Sequence, residues 1–165
     1  MEEGEIPDTG RDILTAVVCD RYRDAGCGTG PVHGFRLQEG AIAASVSHDA
    51  HNIMAVGAEN TSLLAAIRKV VGLQGGLVAV GRDGETVLAL PVAGLMSLEP
   101  CERVAARLAE LDRQVERMGG IPHAFMYLSF LALTVIPALR VTPRGLFDVA
   151  AGKDVPVFPG DGSRQ

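Results

Sequence analysis

Residues Gly40 to Gly57, GAIAASVSHDAHNIMAVG, constrain this chain more than any other stretch. Ala41 to Ser47 alternates, with Ile42, Ala44 and Val46 on one face, which is the period of a strand. Ile53 to Gly57 reads as a second short strand. Between them lies a polar knot, His48-Asp49-Ala50-His51-Asn52, which holds half of the four histidines and a carboxylate. A strand turns successive side chains to opposite faces, so His48 and His51 converge only if the chain turns between them. The flanking apolar segments imply that it does.

The remaining pattern predicts helices among hairpins. Ile13 to Cys19 reads as a first strand, and Arg23 to Gly34 as a glycine-rich loop. No Gly-Lys-Ser/Thr follows that loop, so a phosphate cradle is the lesser reading. Asn60 or Thr61 can cap a helix over about 61–74, whose apolar positions Leu63, Leu64, Ile67, Val70 and Val71 follow the 3.6 period. Leu77 to Val80 and Thr86 to Leu90 form a hairpin around Arg82-Asp83-Gly84, where Asp-Gly favours a tight turn. A second helix, about 98–118, carries Val104, Leu108, Leu111, Val115 and Met118 on one stripe and Arg103 and Arg107 outside it. Gly119-Gly120 stops it. The longest uncharged run, the 16 residues Ala124 to Leu139, predicts a buried helix over about 124–136, closed by Pro137. It falls short of the roughly 20 apolar residues of a membrane span. Leu139 to Val141 and Leu146 to Val149 read as a last strand pair. The expected class is α+β, a mixed β-sheet with about three α-helices in one compact domain over 13–158, between a flexible lead-in (1–12) and tail (159–165).

Composition narrows the functional classes. In 165 residues, 47% are hydrophobic and 4% aromatic, so the core must be built from Ala, Val, Leu and Ile. A net charge of −5 with no basic stripe and few stacking rings argues against nucleic-acid binding. Cys19, Cys27 and Cys101 are odd in number and widely spaced, which predicts neither a disulfide framework nor a zinc site. The acidic N-terminus has no signal-peptide pattern, and a reducing cytoplasm is the expected compartment, with no membrane partner.

Two segments can carry chemistry. At the turn, Asp49 can orient either imidazole, and His48 and His51 can move protons or hold a metal, although His-x-x-His lacks a third ligand nearby. The ordinary alternative is that Asp49 and Asn52 supply turn hydrogen bonds beside half-exposed histidines. Leu90 to Ser97 leads into a helix N-terminus, whose free N–H groups can hold a carbonyl or an anion, or merely need a cap. Cys101, in that helix's first turn, reads as a small buried residue, and His123 as a cap or surface histidine.

These segments together resemble the C-terminal domain of the bacterial and archaeal adenine deaminases of the amidohydrolase superfamily. The carrying residues are GFRLQEGAIAASVSHDAHNIMAVG (34–57), Gly75-Gly76 before a strand, LPVAGLMSLEP (90–100) and FMYLSFLALTVIPALRVTPRGLFDV (125–149). The resemblance runs over about 14–158. The chain departs from the family pattern at Ala50, where Ser is typical, at Tyr22 after Asp20-Arg21, where His is typical, and in a shorter loop at 23–31. The resemblance implies adenine deamination to hypoxanthine and ammonia by a metal-activated water, with the metal ligands mainly on a separate (β/α)8 barrel. Such a barrel takes about 200 residues or more, which this chain cannot supply. The implied role is an accessory or regulatory subunit of a purine deaminase, inactive alone. A piece of a split or truncated deaminase and a non-catalytic purine or small-molecule binding module are the alternatives. The candidate catalytic residues are His48, Asp49 and His51, with Asn52, Met96 and Ser97 for substrate and His48 and His51 for a metal. No cofactor is expected for the chain alone, and Mn, Fe or Zn for a complex with a barrel subunit. Mean hydropathy is +0.22, so an apolar face should meet that subunit or a second copy, around Ala93 to Ser97 and the strand edge Ile53 to Val56.

Overall fold

Runs of Val, Ile and Ala favour extended backbone, because branched or small side chains pack well on a pleated surface. The computed structural model describes residues 6–23 and 26–157. In it, six strands form one sheet: β1 (Ile13–Cys19), β2 (Cys27–His33), β3 (Ala41–Ala44), β4 (Ile53–Gly57), β5 (Gly76–Gly81) and β6 (Gly84–Ala89). Their order is β2-β1-β4-β3-β5-β6. The sheet, expected to be mixed, is antiparallel in every ladder. The reason is topological. Helix α1 (Asn60–Gly72) carries the chain from β4 to β5, which run the same way, but β3 lies between them, so no parallel ladder forms.

Alternation along the central strands feeds two cores. Leu14, Ala16 and Val18 of β1, Ile42 and Ala44 of β3, and Met54 and Val56 of β4 point to one face. There they meet Leu111, Val115 and Met118 of α2 (Cys101–Arg117) and its C-cap, and Ala124, Phe125 and Leu128 of α3 (Ala124–Ser129). Val17, Ala41, Ala43, Ala55 and Val78 point to the other face, against Leu63, Ala66 and Val70 of α1. Burying each larger aliphatic side chain contributes roughly 1.5–3 kcal/mol. The class is the α+β arrangement of sheet and three helices that the pattern implies.

Several expectations are corrected. The segment 23–34, read as loop, contains β2. Its glycines serve a second sheet, β7 (Leu139–Thr142), β8 (Gly145–Asp148) and β9 (Lys153–Val155), which packs on β1 and β2. A Cβ on Gly28 would lie 2.0 Å from the Thr142 carbonyl oxygen, so only glycine admits that approach. The third helix ends at Ser129, not near 136. Ser129 turns its hydroxyl back to the Met126 carbonyl (2.7 Å), and the β-branched run Thr134-Val135-Ile136 before Pro137 disfavours helix. The chain goes on as turns bonded three residues apart, leaving Val135 73% exposed. On α2, Leu111 is buried but Leu108 is 39% exposed, because it faces the gap between α2 and α3 rather than the sheet. On α1, Leu64 and Val71 are likewise exposed, and Ala66 takes the buried position instead. The cap of α1 is Glu59, whose carboxylate accepts from the Ser62 hydroxyl (3.1 Å) rather than from a backbone N–H of the first turn.

Cys19 and Cys27, expected to be free, are joined in a disulfide, since they face each other on the last rung of the β1–β2 ladder. Cys101 is exposed, not buried, because it lies off the stripe of α2 that carries the buried Leu111 and Val115, as do Glu102 and Arg103 beside it. The expected docking edge at Ile53 to Val56 is no edge: β4 lies between β1 and β3 and is buried. Residues 9–11 form a 3-10 turn capped by the Asp8 carboxylate. Residues 1–5 of the lead-in and the whole tail fall outside the described residues. No helix among the described residues is long and apolar enough to cross a membrane.

Candidate functional site

The polar knot follows β3, as its sequence implies, and is held by backbone bonds. The His51 N–H donates to the Ser47 carbonyl (2.9 Å), closing the turn, with His51 in the left-handed region at φ 49°. The Ser47 N–H donates to His51 Nδ1 (3.4 Å). With Nδ1 accepting, a neutral His51 carries its proton on Nε2, pointing away from the turn. The His48 N–H donates to the Ser129 carbonyl (2.9 Å), which ties the turn to the end of α3. The His48 ring lies parallel to Phe130, centroids 4.5 Å apart.

His48 lines a cleft of about 540 Å³ between the sheet, α2 and α3. Ala44, Val46, Leu77, Leu108 and Phe125 contribute apolar walls, and Asp112, His123, Tyr127 and Ser129 contribute polar groups. His123 caps α3 and stands 3.5 Å from Asp112. The volume is that of a small-molecule site. Asp49 is exposed and no hydrogen bond to its carboxylate is found among the described residues, against the expectation of a turn or histidine partner. Exposure explains this, because water satisfies a carboxylate that burial would force to pair.

Asn52 turns the other way. It is 8% exposed, and its Oδ1 accepts from the Arg21 N–H (3.4 Å). The Arg21 guanidinium in turn donates through Nη2 to the Ala93 carbonyl. The loop 91–97 is a small closed ring, with Val92 and Met96 exchanging both backbone bonds (3.1 Å each). Buried Ser45 pins it, its Oγ donating to the Gly94 carbonyl (2.6 Å) and accepting from the Gly76 N–H (2.8 Å). Gly94 is required here: its φ is +71°, and a Cβ would lie 2.4 Å from the Arg21 guanidinium.

The predicted site residues therefore divide. Arg21 joins Asn52 to the loop that carries Met96, which is 58% exposed. His48 belongs to the cleft on the α2–α3 face. Ser97 lines a separate groove with Glu99, Arg103 and Arg107, and its Oγ accepts from the Glu99 N–H (3.1 Å). Nowhere among the described residues do three His, Cys, Asp or Glu side chains gather as a metal would need. With the His51 Nδ1 also engaged, the donor set does not fit a metal centre on this chain alone. Sequence reasoning missed Arg21, Ser45, Asp112 and Phe130 as site residues. Arg21, Ser45 and Phe130 fall in segments of the family pattern, which was their only signal, and Asp112 had none.

Comparison with known proteins covers nearly all of these elements. The family of the adenine deaminase C-terminal domain matches residues 1–153. An adenine deaminase of Methanoculleus marisnigri is 60% identical over 158 residues, 96% of this chain and 30% of that protein. One from Methanoregula boonei is 54% identical (96% of this chain, 28% of that protein), and one from Archaeoglobus fulgidus 46% (92% and 28%). The chain thus spans about 30% of the length of the relatives it matches. With the six-stranded sheet and the three helices of the described residues inside the matched region, the chain belongs to the adenine deaminase C-terminal domain family.

Proposed function

We propose that this domain is the accessory part of an adenine-deaminating hydrolase and is inactive alone. It works with a separate amidohydrolase barrel that supplies the Mn, Fe or Zn centre. The observation that carries this reading is the disproportion of the match: 96% of this chain but only 30% of a protein named adenine deaminase. In the complex, the 48–52 turn borders the substrate region, where His51 presents its Nε2–H and Asp49 a free carboxylate. The ligands for a divalent metal would lie on the barrel, and the metal would supply there the activation of the attacking water. This chain's residues orient and exchange protons around that centre.

The exposed Met126 and Tyr127 on the cleft and Phe130 against His48 supply apolar area for the barrel or a second copy. The complex is placed in the cytoplasm, without membrane or nucleic-acid partners. The test is adenine turnover, followed as hypoxanthine. The purified chain with added Mn²⁺, Fe²⁺ or Zn²⁺ is expected to match the blank, and to support turnover when mixed with the remaining part of the Methanoculleus relative. Hypoxanthine formed by the chain alone, in proportion to its concentration, would overturn the reading.

A further inference from the structure

This inference rests on the reading that the 48–52 turn borders the substrate region. Three contacts meet at Arg21. Its N–H donates to Asn52 Oδ1, its Nη2 donates to the Ala93 carbonyl, and its guanidinium lies against Gly94, where a Cβ would come within 2.4 Å of Nη1. Two residues before it, β1 ends at Cys19, bonded to Cys27 across the final rung of the hairpin. Beyond that rung, the described contacts that hold the hairpin end are few. The Asp20 N–H donates to the Gly26 carbonyl (3.1 Å), and the Asp20 carboxylate accepts from the N–H groups of Tyr22 and Arg23. Cys19 is buried, whereas Cys27 is exposed and open to a soluble thiol.

We propose that Arg21 is the positioning residue that couples the two loops, and that the Cys19–Cys27 disulfide is a redox latch on it. A thiolate of a small dithiol attacks Cys27 Sγ, the S–S bond breaks, and Cys19 leaves as a thiolate and takes up a proton. The dithiol's second sulfur then resolves the mixed disulfide, releasing Cys27 as a thiol and leaving the reagent as its own disulfide. Two electrons and two protons pass to the protein. In the reduced chain Arg21 is no longer fixed against Ala93, and the 91–97 loop uncouples from Asn52.

The test is backbone amide exchange in the full chain, oxidised and after reduction with dithiothreitol. It is read at His51, Leu95 and Met96, whose N–H groups are bonded within their own loops, with α2 as control. The oxidised chain should alkylate at Cys101 only and the reduced chain at all three cysteines. On reduction the three amides should exchange about tenfold faster or more, with α2 unchanged. In the oxidised chain Arg21→Ala should loosen Leu95 and Met96 to the same degree, while Arg21→Lys, which keeps a donor, should retain most of the protection. Reduction of the Arg21→Ala chain should add little, because effects acting through one contact do not add. Ready alkylation of Cys27 without reductant, equal exchange in both redox states, or loosening spread equally over α2 would overturn the proposal. None of these readouts uses adenine or a barrel, so loss of the deaminase reading and loss of the latch are separate results.

Discussion

Single positions in this domain are decided by how closely backbones approach and by which polar groups stay in water. Gly28 shows the first. Alanine there meets the Thr142 carbonyl oxygen at 2.0 Å, and backbone on both sides leaves no flexible group to yield. Gly28→Ala should therefore cost about 2–4 kcal/mol in urea denaturation, at the upper end of single substitutions. Asp154 shows the second. Arg144 grips both its oxygens (2.9 and 3.2 Å), and this hydrogen bond holds the Asp154 carboxyl below its ordinary value. A lowered folded-state value means that the pair's contribution is present above the unfolded carboxyl value and is lost as pH falls through the folded one. An NMR titration should place the Asp154 midpoint below that of a free aspartate, and Arg144→Ala should return it to the ordinary range. Both groups are exposed, so global stability should barely respond. The histidine turn was legible as a turn from its residue types. The division of its side chains between two faces was not, because that depends on Phe130 and Arg21, far away in sequence.

Elements with a strong period were legible nearly to the residue, as β1, β4 and the β5–β6 hairpin show. Those governed by contacts distant in sequence were not. β2 carries Gly28 and Gly30 because another sheet lies on it, so only Thr29 and Val32 of its residues are of the branched type that marks a strand. The run after Ser129 has helix-like hydrophobicity but β-branched residues that prefer turns or extended chain. Helix α2 permits a direct check of its observed face. Leu111→Ala, at a fully buried position, should destabilise by about 2–5 kcal/mol. Leu108→Ala, at the cleft mouth, should cost under about 1 kcal/mol. Equal costs in chemical denaturation would show that α2 turns a different stripe to the sheet.

At the scale of the whole molecule, the chain is a sheet with a helix on one face and two helices and a small sheet on the other. The partner-facing surface was only half legible. Apolar composition implied such a face, and of the two segments proposed for it the strand Ile53 to Val56 is central and buried, whereas Met96 of the Ala93 to Ser97 segment is exposed, as are Leu98 beside it and Met126, Tyr127 and Val135 on α3 and the turns after it. The central claim is that this domain brings the 48–52 turn to a deaminase centre built elsewhere. The most direct measurement compares the chain with its Asp49→Ala/His51→Ala variant, each at saturating concentration over a fixed amount of the rest of the enzyme. In the variant kcat should fall by about 10²-fold or more, as for loss of acid–base groups, with the concentration needed for half-saturation unchanged. An unaltered kcat in the variant would contradict it, and would leave the domain as a docking module only.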